Sequence, residues 1–285
     1  MKSPLGLEAR IPVFDLFKDA LFLLWAKRGR LLSMFLPIIV VLVILDYYSS
    51  AISAPILAAM GQEGADPNLT FPPEFWVVTG ISMLLSILMA TTVHRFTLQD
   101  ASHWPSNALR VPTRSDLRYL WRSIQIMLIA FGVALLTMVA TLTVIMLLSG
   151  QNTPEGLEPL IYLSIIPTMM IMIYVLARLS ITLPEIAIGA QGSDLARAWR
   201  MSKGNGSRVV IVALLLPFMV NAPFFLLASL DTLITNIIAA FGIYSMTLIS
   251  ITVLSLSYQF LFEFYEPDPE EEVIPEKDDN DGMDA

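Results

Sequence analysis

The sequence predicts an all-α polytopic integral membrane protein: a bundle of six transmembrane helices with cytoplasmic interfacial helices and internal hairpin repeats. Three observations predict it. Of 285 residues 55% are hydrophobic and only 15% charged, with a mean hydropathy of +0.68, so the average residue favours lipid or a deep core over water. Six stretches reach the roughly 20 mostly apolar residues that cross about 30 Å of hydrocarbon at about 1.5 Å per residue. The Lys and Arg residues fall in alternate connectors, as they do when every second connector stays on one side of a bilayer.

The stretches are Leu31 to Ser53, Phe75 to Val93, Ser123 to Ser149, Leu160 to Ala177, Val209 to Leu230 and Ile237 to Leu261. Lipid offers no partner for a bare peptide group, so each must be helical. A soluble bundle would need polar faces on these segments, and they have almost none. Residues 1–30 form a cytoplasmic N-terminal segment with an interfacial helix, 31–262 the six-span membrane domain, and 263–285 an acidic cytoplasmic tail. Some thirty residues, with charged and aromatic ones among them, precede the first span, which makes a poor signal peptide, and the span is expected to be retained.

Of the 17 basic residues 16 fall on one side. Lys2, Arg10, Lys18, Lys27, Arg28 and Arg30 precede the first span, and Arg95, Arg110, Arg114, Arg118 and Arg122 lie between the second and third. Arg178, Arg197, Arg200, Lys203 and Arg208 flank or fill the connector between the fourth and fifth. The other connectors carry only acids: Glu63, Asp66, Glu74, Glu155, Glu158 and Asp231. The asymmetry puts both termini and the two long basic connectors in the cytoplasm, the topology of a multi-pass protein of a bacterial inner membrane. Trp25, Trp104, Trp121 and Trp199 sit on the basic side and Tyr47, Tyr48 and Trp76 near the opposite boundary, as headgroup-depth rings do. Asn68-Leu69-Thr70 matches a glycosylation sequon, which in a bacterial protein is a chance match.

The two basic connectors share a string. Ser115-Asp116-Leu117 with Trp121-Arg122 returns 78 positions later as Ser193-Asp194-Leu195 with Trp199-Arg200. In each, Ser suits an N-cap, Asp the first turn, and the apolar residues fall at i, i+3 and i+4, which predicts a short helix lying in the interface before the next span. Asp15-Leu16 heading Phe17 to Trp25, then Lys27, Arg28 and Arg30, is a weaker third copy with a displaced tryptophan. The repeated unit is an interfacial helix plus a two-span hairpin, in two or three copies. Pro37, Pro167, Pro217 and Pro223 fall inside spans and remove backbone donors, so kinks are expected there. Either an ordinary kinked bundle or a broken helix around a transported substrate uses such prolines, and no intramembrane charge cluster accompanies these.

From Arg178 the chain reads Arg178-Leu179-Ser180, Pro184, Gly189, Gly192, Ala198-Trp199-Arg200 and Ser202-Lys203-Gly204-Asn205, then a hydrophobic span. That pattern resembles a broad group of bacterial six-span inner-membrane proteins, related to the membrane domain ahead of glycerophosphodiester phosphodiesterase catalytic domains and to YciC-like proteins. It is specific for about thirty residues and topological elsewhere. The resemblance implies a location and an architecture more than a reaction. The phosphodiesterase keeps its catalytic residues on a separate soluble barrel, and His94-Arg95-Phe96 matches that enzyme's His-Arg-Gly start only superficially, so no catalytic residue is carried over.

Chemistry-bearing patterns are sparse. There is no Cys and only two His, His94 and His103, which excludes a disulfide scaffold and thiolate metal sites. Walker, Rossmann and zinc-hydrolase patterns are missing. No catalytic or metal site, no cofactor and no nucleic-acid partner is expected. Asp46 is the one acid inside a span and is expected at the boundary in reach of water. Asn221, Gln125, Gln259 and the hydroxyls of the sixth span, Ser245, Thr247, Ser250, Thr252, Ser255 and Ser257, read first as helix-packing residues. Arg178 must snorkel, pair with Glu185 or hold a lipid phosphate; with Arg197 and Arg200 it is the candidate site for anionic phospholipid.

The stretch from Glu263 to Ala285 holds eleven acids against Lys277 alone, and should be disordered. Without it the chain carries 16 basic against 14 acidic residues, so the net charge of −8 reports the tail. The function expected is noncatalytic: support of envelope or lipid homeostasis through contacts with lipids or another membrane protein. The alternative is a small-solute transporter or lipid translocator.

Overall fold

A computed structural model describes residues 10–61, 70–149, 158–190, 194–230 and 232–264. The sequon at Asn68, Ser193 of the second repeat and the tail beyond Phe264 lie outside them. The architecture is all-α. Among the described residues six helices are long and apolar enough to cross a membrane.

In chain order the helices are α1 (Val13–Ala26), α2 (Arg28–Met60), α3 (Pro73–Leu98), α4 (Arg114–Ser149), α5 (Glu158–Ser180), α6 (Thr182–Ala187), α7 (Leu195–Met201), α8 (Gly206–Val210), α9 (Leu216–Ala228) and α10 (Leu233–Glu263). A π-helical turn, Ile211–Leu215, joins α8 to α9, so these form one spanning unit with a bulge. Pro217, in the first turn of α9, explains the bulge: its ring needs room against the preceding turn, and the wider π turn gives it. Pro37 and Pro167 sit within α2 and α5 without interrupting them.

Consecutive spans pair as hairpins: α2 with α3, α4 with α5, and α9 with α10. Helix α10 is the hub, touching α1, α2, α3, α6 and α9. Its sequence suits that place. Thr252, Ser255 and Ser257 are fully buried, and each hydroxyl donates to the carbonyl four residues back at 2.8 Å, which lets neighbouring backbones approach without an orphaned polar atom. At its start Thr232 and Thr235 form a reciprocal capping box.

Among the described residues the two larger apolar cores lie around α1 with α10 and around α2 with α3. One packs Leu16 and Ala20 of α1 against Val209, Val212, Val253 and Leu261; the other packs Phe35, Ile38 and Leu42 of α2 against Leu88, Val93 and Phe96 of α3. Helix α1 has three faces. Leu16 and Ala20 are buried, Phe14, Leu21, Phe22 and Trp25 are exposed apolar residues, and Asp15 and Asp19 lie on the remaining arc. That is the pattern of a helix lying between bundle, hydrocarbon and water.

Three expectations are corrected. The first repeat is not a separate interfacial helix, because α4 runs unbroken from Arg114 to Ser149; no Gly or Pro lies between Trp121 and the span to stop it. Ser115 is not its cap. Thr113 precedes the first turn, and its backbone N–H and its hydroxyl donate to the Asp116 carboxylate at 2.7 and 2.6 Å. In the second repeat Asp194 is itself the N-cap residue of a seven-residue helix, so the matching aspartates do different work. Third, α2 continues through Pro55 to Met60, past the expected end at Ser53.

Candidate functional site

The buried polar chemistry gathers where the basic ends of α3, α4, α6, α7 and α10 meet. His94 on α3 is fully buried, with Nδ1 2.7 Å from Ser255 Oγ and Nε2 3.3 Å from Tyr119 Oη. Ser255 sends its own proton to the Ile251 carbonyl, so it accepts from Nδ1–H; Nε2 then accepts from the Tyr119 hydroxyl. The neutral imidazole thus joins α3, α4 and α10 with every proton placed.

The next residue, Arg95, donates from Nε to the Ala187 carbonyl at 2.8 Å and from Nη2 to Ser115 Oγ at 2.6 Å, and lies 3.6 Å from Asp116. Gln99 donates to the Ile188 carbonyl at 3.2 Å, so the end of α3 grips the end of α6 twice. Asp116 is the centre of the group. It takes Thr91 Oγ1 at 2.7 Å, Arg110 at 2.6 and 2.7 Å, and the two bonds from Thr113. A carboxylate 1% exposed needs such company, since an unpaired buried charge is costly. Arg110 comes from the connector before α4, which is further held by the Ala108 N–H on the Met34 carbonyl and by Trp104, whose ring lies 4.6 Å from the Phe96 ring with the Lys27 ammonium over both.

The predicted lipid-site arginines do not converge on one point. Arg178, at the end of α5, is buried: its guanidinium stacks on Trp199 at 3.6 Å, and its donors reach Ser202 Oγ at 2.8 Å, Tyr174 Oη at 3.3 Å and the Trp199 carbonyl. Of the three roles offered for Arg178, pairing with Glu185 is not the one adopted. Glu185 accepts from Arg197 Nη1 at 2.6 Å, and Arg197 lies over the Phe262 ring at 5.6 Å. Arg200 is exposed on α7. Arg178 and Arg197 therefore bind α7 to the bundle, through different partners.

Beside the Glu185–Arg197 pair opens a cavity of about 460 Å³ that also meets Leu98, Ile188, Tyr258 and Gln259. Its wall is the most polar among the described cavities. Among the described residues no three His, Asp or Glu side chains could hold a metal ion. Asp46 is half-buried and accepts from Tyr244 Oη at 2.6 Å, which ties α2 to α10 near the opposite boundary.

Sequence reasoning missed His94, Arg110 and Thr91 and gave Asp116 only a helix-dipole role. Their partners lie up to 161 positions away, so no local pattern points to them. The one available hint was Asp116 itself, a charge in the first turn of a helix otherwise flanked by arginines. Comparison of the chain with protein-family models, with curated proteins and with solved structures gives no match.

Proposed function

We propose that this chain is a noncatalytic protein of a bacterial inner membrane that supports envelope or lipid homeostasis by contacting lipids, or another membrane protein, through its basic end. The resemblance to the membrane domain of glycerophosphodiester phosphodiesterases and to YciC-like proteins belongs to the same proposal. One observation carries the reading. An exposed tryptophan with exposed cations around it recurs three times at that end: Trp25 with Lys18 and Arg28, Trp121 with Arg114 and Arg118, and Trp199 with Arg200 and Lys203. Rings at headgroup depth beside guanidinium and ammonium groups suit anionic phospholipid. Arg95, Arg110, Arg178, Arg197 and Arg208 bond within the fold and are at most partly exposed, whereas Lys18, Arg28, Arg114, Arg118, Arg200 and Lys203 are exposed and form the surface a lipid meets.

The transport alternative needs a hydrated or amphipathic path through the hydrocarbon. A groove of about 650 Å³ between α2 and α10 is walled by Val40, Val43, Ile44, Ile237, Ile238 and Phe241, which favours acyl chains over a headgroup or solute. The test is lipid analysis of gently extracted protein against the parent membrane. Phosphatidylglycerol enriched over bulk and shed as salt rises is the expected result; a retained composition equal to bulk overturns the reading.

A further inference from the structure

We propose that the concave groove between α1, α2 and α10 seats one anionic glycerophospholipid from the leaflet on the basic side, with its phosphate on Arg28 and an acyl chain lying toward Phe241. This rests on the lipid-contact reading above and names its tightest site.

The bend at Lys27 between α1 and α2 makes the concavity. Leu24, Leu32, Leu36, Phe241, Ser245 and Leu248 line a cavity of about 380 Å³ there, with Trp25 and Arg28 at its mouth. The wall is apolar even at Ser245, whose hydroxyl is spent on the Phe241 carbonyl at 2.8 Å. The mouth is cationic and fixed. Arg28 lies over the Trp25 ring at 5.1 Å and donates from Nη1 to the Trp25 carbonyl at 3.2 Å, which leaves the rest of its fork for a ligand. Lys27 is turned away onto Trp104 and Phe96, so Arg28 is the cation that serves the groove.

Length selects the occupant. From Arg28 to Ile39, the far lining residue on α2, eleven helical steps of about 1.5 Å give about 17 Å. That is about half of a roughly 30 Å hydrocarbon core, the reach of one leaflet's acyl chain. Beyond Phe241 a second cavity of about 650 Å³ continues to Tyr47 and Leu233 with no cation among its lining residues, so anion selection belongs to the first cavity alone.

The test is native mass spectrometry of full-length protein reconstituted with equal parts phosphatidylglycerol and phosphatidylcholine. Wild type is expected to keep one phosphatidylglycerol after looser lipids are stripped. Arg28→Gln should weaken that last lipid roughly fivefold, the effect of one cation near a headgroup, and Arg28→Lys should recover most of it. Ser245→Phe, which fills the groove without touching the mouth, should remove it; Leu36→Trp replaces that variant where the melting midpoint falls. Arg114→Gln with Arg118→Gln should strip looser lipids and leave the last one. Retention of the last lipid unchanged in Arg28→Gln or in the filled groove overturns the site while leaving the basic-end reading intact. Wild type holding no more phosphatidylglycerol than phosphatidylcholine overturns both.

Discussion

Arg110 meets Asp116 end on, with Nη1 2.6 Å from one carboxylate oxygen and Nη2 2.7 Å from the other. The pair fastens the connector before α4 to the first turn of that helix, and Thr91 ties both to α3. Removing one partner strands the other in a buried place. Asp116→Ala should cost about 3–5 kcal/mol. The check is the thermal midpoint in detergent micelles, where the Arg110→Ala, Asp116→Ala double variant should lose less than the two singles together. Equal additive losses would show that the two do not act as a pair.

Arg178→Lys keeps the charge and gives up the planar stack on Trp199 and the fork that reaches Ser202, Tyr174 and the Trp199 carbonyl. It should destabilise by about 1–3 kcal/mol, the cost of buried acceptors left without donors. Retained phosphatidylglycerol should stay at the wild-type level. A loss of lipid at unchanged midpoint would return Arg178 to a headgroup role.

Gly242 is where α10 passes α9, and a Cβ there would run into the Phe224 ring well inside contact distance. Alanine is the better helix former by about 1 kcal/mol, yet Gly242→Ala should lower stability by about 1–3 kcal/mol through overpacking. Phe224→Leu in the same chain should restore most of it. If Gly242→Ala alone raised the melting midpoint, the close approach of the two helices would be wrong.

The natural absence of cysteine allows topology to be read by single thiols. Ser106→Cys, exposed in the connector between α3 and α4, and Thr70→Cys, exposed ahead of α3, lie at opposite ends of that helix. If the basic connectors are cytoplasmic, as the distribution of Lys and Arg leads one to expect, an impermeant maleimide labels Thr70→Cys in intact cells and Ser106→Cys only after lysis. The reverse pattern would invert the whole arrangement.

The spans were legible because they depend on a local quantity, hydropathy over a window. The packing role of Thr252, Ser255 and Ser257 was legible for the same reason, a small hydroxyl every few residues on one helix. Helix ends were less so. The change from polar to apolar after Arg122 marks where α4 enters hydrocarbon and not where a helix stops, and Pro55 did not end α2. The basic-end cluster was mostly hidden, since His94 finds Ser255 and Arg95 finds Ala187 through the tertiary fold. The repeat pointed to equivalent aspartates, but Asp116 accepts from Thr113 inside the first turn of α4, whereas Asp194 is the N-cap residue of α7.

The pairing of α4 with α5 has a mechanical side. Every buried side chain of α4 within its described length lies between Asp116 and Ala134, and from Leu135 to Leu147 none is buried. The hairpin is thus anchored at its foot by Asp116, Tyr119 and Ile126 and borne by hydrocarbon along its upper reach. The α4 side of the hairpin is held at its root, and substitutions from Leu135 to Leu147 should cost less stability than those at Tyr119, Ile126 or Ala130.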